Sequence, residues 1–119
     1  MATVLCTGVD RVLNETRTLI LRQAGHAAMC AIEEHEIIAA CKEHNFDVVV
    51  VGQAMSDSQK RDLFKVIRQH CGAAKVLELY LPFSGRALKQ ADGWLEVPAR
   101  VPTDLAVHVE RLAANGASS

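Results

Sequence analysis

Short apolar runs alternate along this chain with longer segments in which apolar residues recur every three or four positions. The strand-like runs are "TVLCTG" at 3–8, "HAAMCA" at 26–31, "FDVVVV" at 46–51, "AKVLELYL" at 74–81 and "GWLEV" at 93–97. Between and after them, "RVLNETRTLILRQAG" at 11–25, "EEHEIIAACKEHN" at 33–45, "SDSQKRDLFKVIRQHCG" at 56–72 and "PTDLAVHVERLAA" at 102–114 carry the helical period. Gly25 supplies a stop for the first helix. The acids opening the second sit where the helix dipole favours negative charge. Ser56 and Gln59 have capping-box spacing at the start of the third, with Leu63, Val66, Ile67 and His70 along one side. The last helix turns Leu105, Val109 and Leu112 inward. "SGRALKQA" at 84–91 predicts a fourth helix of one or two turns, and "NGASS" at 115–119 a frayed end.

The valines at 48–51 leave no polar face, which argues for a strand buried on both sides, as in a parallel sheet covered by helices. Five β/α units over residues 1–119 then predict one α/β domain: a doubly wound, five-stranded parallel sheet with helices on both faces and a shortened fourth helix. Such folds place their functional crevice at the carboxyl ends of the strands, near the switch in strand order. Here those ends are Thr7 to Asp10, Gly52 to Ser56, Leu79 to Leu81 and Glu96 to Pro98.

Composition narrows the function classes. With 119 residues there is material for one sizeable core. The 13 basic and 14 acidic residues nearly cancel, so no electrostatic footprint for nucleic acid or an anionic membrane is expected. "MATVLCTGVD" lacks the features of a secretory signal, and no apolar run is long enough to cross a bilayer, so a cytoplasmic location is expected. Cys6, Cys30, Cys41 and Cys71 are widely spaced in apolar settings and are expected to be reduced, buried thiols, with Cys41 packing beside Ile37 and Ile38.

The order of elements, with "QAGHAAMCA", "FDVVVVGQAMS" and "ADGWLEVP", resembles the response-regulator receiver domain of two-component signalling, the chemotaxis-regulator fold. The resemblance spans roughly Thr3 to Ala114. In that family an acidic pair after the first strand holds Mg²⁺, and an Asp ending the third strand accepts a phosphoryl group from a kinase. A Thr or Ser after the fourth strand and a Lys before a Pro after the fifth respond to it. The chemistry needs oxygen ligands for a hard cation, a carboxylate nucleophile and a cation to neutralise transferred charge.

Matched residue by residue, the acidic pair falls on Gly8 and Val9, with Asp10 just after, and the acceptor falls on Gly52. The Thr/Ser position falls on Tyr80 or its neighbour Leu79, and the Lys position on Val97, before a retained Pro98. Nucleophile, metal ligands and readout are all replaced, with Val9 and Val97 expected to fill the pocket. Asp47 begins its strand, roughly 17 Å from the functional end, and Asp57 opens a helix, where an acid serves the dipole.

The expectation is therefore a pseudo-receiver: not an enzyme, without cofactor or metal, acting by phosphorylation-independent contact with a signalling protein. A histidine kinase, another regulator or a second copy of the chain are the candidate partners, although the shortened helix puts the family's usual dimer face in doubt. Two alternatives stay open. One is a thiol or metal sensor built on Cys41 and His44, His26 and Cys30, or His70 and Cys71, although no recognised zinc spacing is present. The other is a phosphorylatable receiver whose acceptor is Asp10 or Asp57.

Overall fold

The computed structural model describes residues 1–98 and 103–117. Five strands, β1 (Thr3–Thr7), β2 (Ala27–Ala31), β3 (Val48–Val51), β4 (Lys75–Tyr80) and β5 (Gly93–Glu96), form one sheet in the order β2-β1-β3-β4-β5. Every neighbouring pair is parallel. Four helices connect or follow them: α1 (Arg11–Gln23), α2 (Glu34–Glu43), α3 (Asp57–His70) and α4 (Asp104–Ala117). The predicted doubly wound α/β sheet is what forms. The predicted start of the last helix at Pro102 lies outside the described residues. Its end runs on to Ala117, so residues 115–117 of the tail expected to fray are helical.

Alternation along the strands explains the two-sided core. Val48 and Val50 join Val4, Cys6, Leu77 and Leu79 under α1 and α4, where Leu21, Leu105 and Val109 meet them. Val49 and Val51 join Leu5 and Val76 under α2 and α3, against Ile37 and Ile67. The four valines are no more than 1% exposed, which is why the run needs no polar position. Ser56 and Gln59 exchange their predicted capping bonds: Gln59 N–H donates to Ser56 Oγ at 3.1 Å, and Ser56 N–H to Gln59 Oε1 at 2.9 Å. Asp47 accepts from Thr3 N–H at 2.8 Å and so tethers the start of β3 to β1.

Two sequence expectations are corrected. The fourth helix is not shortened but absent, because the segment from Leu81 to Asp92 consists of turns. Its backbone is satisfied sideways rather than along a helix: Ala87 and Leu88 N–H both donate to the buried carboxylate of Glu78 at 2.8 Å, and the Leu88 carbonyl accepts from Trp94 Nε1 at 3.0 Å. Lys60 Nζ completes the arrangement, 2.7 Å from Glu78 Oε2 and 2.9 Å from the Leu79 carbonyl, with both charged side chains buried. Arg86 lies over the rings of Trp94 and Tyr80, at 4.7 and 5.5 Å. The two aromatics thus pack against this segment.

The second correction concerns the thiols. Cys41 and Cys71 form a disulfide between α2 and the C-cap of α3, while Cys6 and Cys30 are free. The separation of 30 residues is one β/α unit. Each unit returns the chain to the same end of the sheet, so residues far apart in sequence finish side by side.

Candidate functional site

The strand order reverses between β1 and β3, and the loops leaving these two strands meet there. Gly52 N–H donates to the Thr7 carbonyl at 2.9 Å, continuing the ladder by one residue beyond β3. Gly8 packs directly against it: a Cβ built on Gly8 would lie 3.5 Å from the Gly52 Cα and 3.3 Å from Met55 Cε. Gly8 also has φ +152°, which side-chain-bearing residues rarely adopt. The two glycines are therefore brought together in the crevice at the switch in strand order.

What fills that crevice was not foreseen. A Cβ on Gly52 would stand 3.1 Å from Arg17 Nη1. The guanidinium of Arg17, on α1, occupies the space into which a side chain at this position would project. Its Nη2 donates to Gln53 Oε1, which anchors it to the loop after β3. Among the described residues it makes no ion pair. Burial lowers the basicity of Arg17 from its ordinary value, and the proximity of Cys6 and Asp10 only partly offsets this. Arginine nevertheless stays charged, so the pocket is cationic.

The other matched positions are scattered in role. Val9 is 55% exposed and does not fill the pocket, which corrects the expectation that it would pack there. Arg17 takes that place because the turn at Gly8 sends Val9 outward. Val97 is buried in the core under α1 and α4. Asp10 caps α1, its carboxylate accepting from Leu13 N–H at 3.1 Å. Of the two residues considered for the fourth-strand position, Leu79 belongs to the core under α1 and α4, whereas Tyr80 alternates to the other face and meets Arg86. Val97 N–H donates to the Tyr80 carbonyl at 2.9 Å and precedes Pro98 through a cis peptide bond.

The residues present do not fit a divalent cation. Gly8 and Val9 offer no side-chain oxygen, Asp10 is engaged in capping, and Arg17 puts a positive charge beside the position. Among the described residues, no three His, Cys, Asp or Glu side chains come together in a way that could hold a metal ion.

Behind Arg17 the crevice opens into a cleft of about 510 Å³ between α1, α4 and the ends of β4 and β5. Leu13, Ile20, Leu79, Leu95, Val97 and Leu105 make its apolar wall, and Arg17 and Gln53 its polar end. Sequence matching missed Arg17 because it sits mid-helix, in a segment whose pattern signals only packing.

Cys6 lies beneath the same helix. Burial pushes its thiol up to about 11, against smaller opposing effects of the Thr18 hydrogen bond and the Arg17 charge. A rise of this size cuts the thiolate fraction near neutral pH by roughly a hundredfold. Native Cys6 is accordingly expected to resist iodoacetamide at pH 8 while half-buried Cys30 is labelled first, as read by peptide mass spectrometry. Equal labelling of both in the folded chain would contradict the buried placement of Cys6.

No protein-family model matches this chain, and no curated protein matches it in sequence. Solved structures do match in shape. NtrX from Brucella abortus in complex with ATP aligns with a TM-score of 0.80 at 17% identity, over 98% of this chain and 27% of NtrX. A response regulator receiver domain protein from Clostridium thermocellum aligns at 0.77 and 15% identity, covering 99% and 98% of the two chains. The chemotaxis response regulator CheY4 of Vibrio cholerae aligns at 0.73 and 23% identity, covering 94% and 98%. This chain spans about a quarter of NtrX and nearly the whole of the other two. It has the fold of response-regulator receiver domains.

Proposed function

We propose that this chain is a pseudo-receiver: a single receiver-fold module of two-component or phosphorelay signalling that acts by protein contact without being phosphorylated. The observation that carries this reading is the Arg17 guanidinium in the side-chain space above Gly52. A receiver needs a carboxylate and Mg²⁺ at this spot, and a cation there opposes the metal as well as replacing the nucleophile. The module is not an enzyme in this reading. Its partner is a cytoplasmic signalling protein such as a histidine kinase or another regulator, with a second copy of the chain as a further candidate. The segment from Leu81 to Asp92, where Phe83 is 86% exposed, and the outer side of α4, where Val107 is 44% exposed, offer surface for it.

Intact-mass spectrometry after incubation with acetyl phosphate and Mg²⁺ tests this reading, beside a typical receiver as control. No phosphoryl adduct is expected, and Gly52→Asp alone is expected to remain unlabelled because its carboxylate would face Arg17 rather than a metal. A stoichiometric adduct on the wild-type chain at Asp10 or Asp57 would establish the phosphorylatable alternative instead.

The Cys41–Cys71 disulfide favours a second reading, a thiol-responsive module on the same fold. Partner binding that changes when the bridge is reduced would support it.

A further inference from the structure

An arginine that is half-buried, basicity-lowered by burial and, among the described residues, without a carboxylate at ion-pair distance is an uncommon arrangement, since charge removed from water is normally paired. Arg17 donates to the neutral Gln53 amide, which leaves further N–H groups of its fork with no protein acceptor among the described residues. The fork stands at one end of a cleft whose remaining wall is almost wholly apolar: Leu13 and Ile20 from α1, Leu95 and Val97 from β5 and its end, Leu105 from α4. At about 510 Å³ the cleft falls within the range of small-molecule sites. It also lies outside the strand carboxyl ends, where doubly wound folds bind their ligands. A cationic end and an apolar body select for the same features in an occupant.

We infer that this cleft is a binding site for a small organic anion: a carboxylate head held by the Arg17 fork beside Gln53, with an apolar tail of several carbons along Leu13, Ile20, Val97 and Leu105. The planar guanidinium matches a carboxylate with two parallel N–H donors, and such charge-assisted bonds are about twice as strong as neutral ones. Gly8 and Gly52 contribute by omission. A side chain on Gly52 would press on Arg17 Nη1 at 3.1 Å and push the fork aside. The feature that removes phosphorylation is thus the one that makes room for the anion anchor. The inference concerns the site of the pseudo-receiver reading and rests on it only in that no acceptor carboxylate competes for Arg17.

The test is an NMR titration of the full chain with hexanoate, with hexanol as the uncharged analogue and inorganic phosphate as the tail-less anion. Saturable shifts confined to Leu13, Ile20, Val97, Leu105 and the Arg17–Gln53 region are expected with hexanoate. Hexanol should bind about tenfold more weakly or worse, the ratio expected from loss of a charge-assisted pair. Arg17→Gln should abolish that preference while leaving hexanol binding in place, and Arg17→Lys should keep part of it. Equal affinity for hexanoate and hexanol on the wild-type chain would overturn the anchor role, even if Arg17→Gln failed to fold. Phosphate binding as tight as hexanoate would overturn the apolar tail, and no localised shift at millimolar hexanoate would overturn the site. The acetyl phosphate experiment reads a covalent adduct, so failure of the pseudo-receiver reading and failure of this one are separately visible.

Discussion

Glu78→Ala is expected to lower the unfolding free energy by about 3–5 kcal/mol, the usual cost of stranding one partner of a buried ion pair. The carboxylate accepts from Lys60 Nζ and from the Ala87 and Leu88 amides at 2.7–2.8 Å. Its removal leaves an ammonium buried beside the Leu79 carbonyl alone and orphans two backbone donors. Domains of this size are typically stable by only about 5–15 kcal/mol, so the variant would be marginal at 25 °C. The urea midpoint measures the loss, and hydrogen exchange at Ala87 and Leu88 locates it. Glu78→Gln, which keeps an acceptor oxygen, should cost less. A shift of the midpoint within error for Glu78→Ala, with unchanged exchange at both amides, would show that the Leu81–Asp92 segment is held by something else. The specificity of the prediction comes from the absent helix: a segment without its own hydrogen-bond ladder depends on one carboxylate.

Opening the Cys41–Cys71 bridge is expected to cost about 3–4 kcal/mol, the loop-closure entropy for a 30-residue separation. For a chain of 119 residues this corresponds to a fall in Tm on the order of 10–15 °C. Calorimetry with and without dithiothreitol, beside a Cys41→Ser/Cys71→Ser double variant, measures it. The reduced wild type and the double variant should agree with each other and lie below the oxidised chain. Intact mass under non-reducing conditions should show the deficit of two hydrogens. A full complement of free thiols in protein purified without reductant would sink the prediction. In a reducing cytoplasm the same equilibrium would set how much of the chain is bridged, which is what gives the thiol-responsive reading its physical content.

The sheet was legible because local patterns and global fold agree. The four valines could only be a strand buried on both sides, and Ser56 with Gln59 could only sensibly open a helix. The placing of Gly8 and Gly52 at strand ends was legible for the same reason: strand ends are fixed by the runs that precede them, and the structure brings the two glycines close together. The errors have a common source. "SGRALKQA" has enough helical residues to suggest a turn or two, yet the carboxylate of Glu78, nine and ten residues upstream, captures its amides first. Nothing local in "KVLELY" marks Glu78 for this role. Val9 was assigned to the pocket by its apolar character, whereas the turn at Gly8 directs it to solvent.

Sequence alone therefore determined the class of fold, the boundaries of most of its elements and which residues stand at the strand ends. These follow from periodicity and from residue identity at strand ends, both of which are local. Only the tertiary structure decided what fills the crevice and holds the loops: the Arg17 guanidinium over Gly52, the Lys60–Glu78 pair holding the segment between β4 and β5, and the bridge between Cys41 and Cys71. Each joins groups at least 18 residues apart, as the pair at separation 18 between Lys60 and Glu78 illustrates. Such encounters depend on which helix ends and strand ends the parallel sheet sets side by side, and no local pattern in the chain records that.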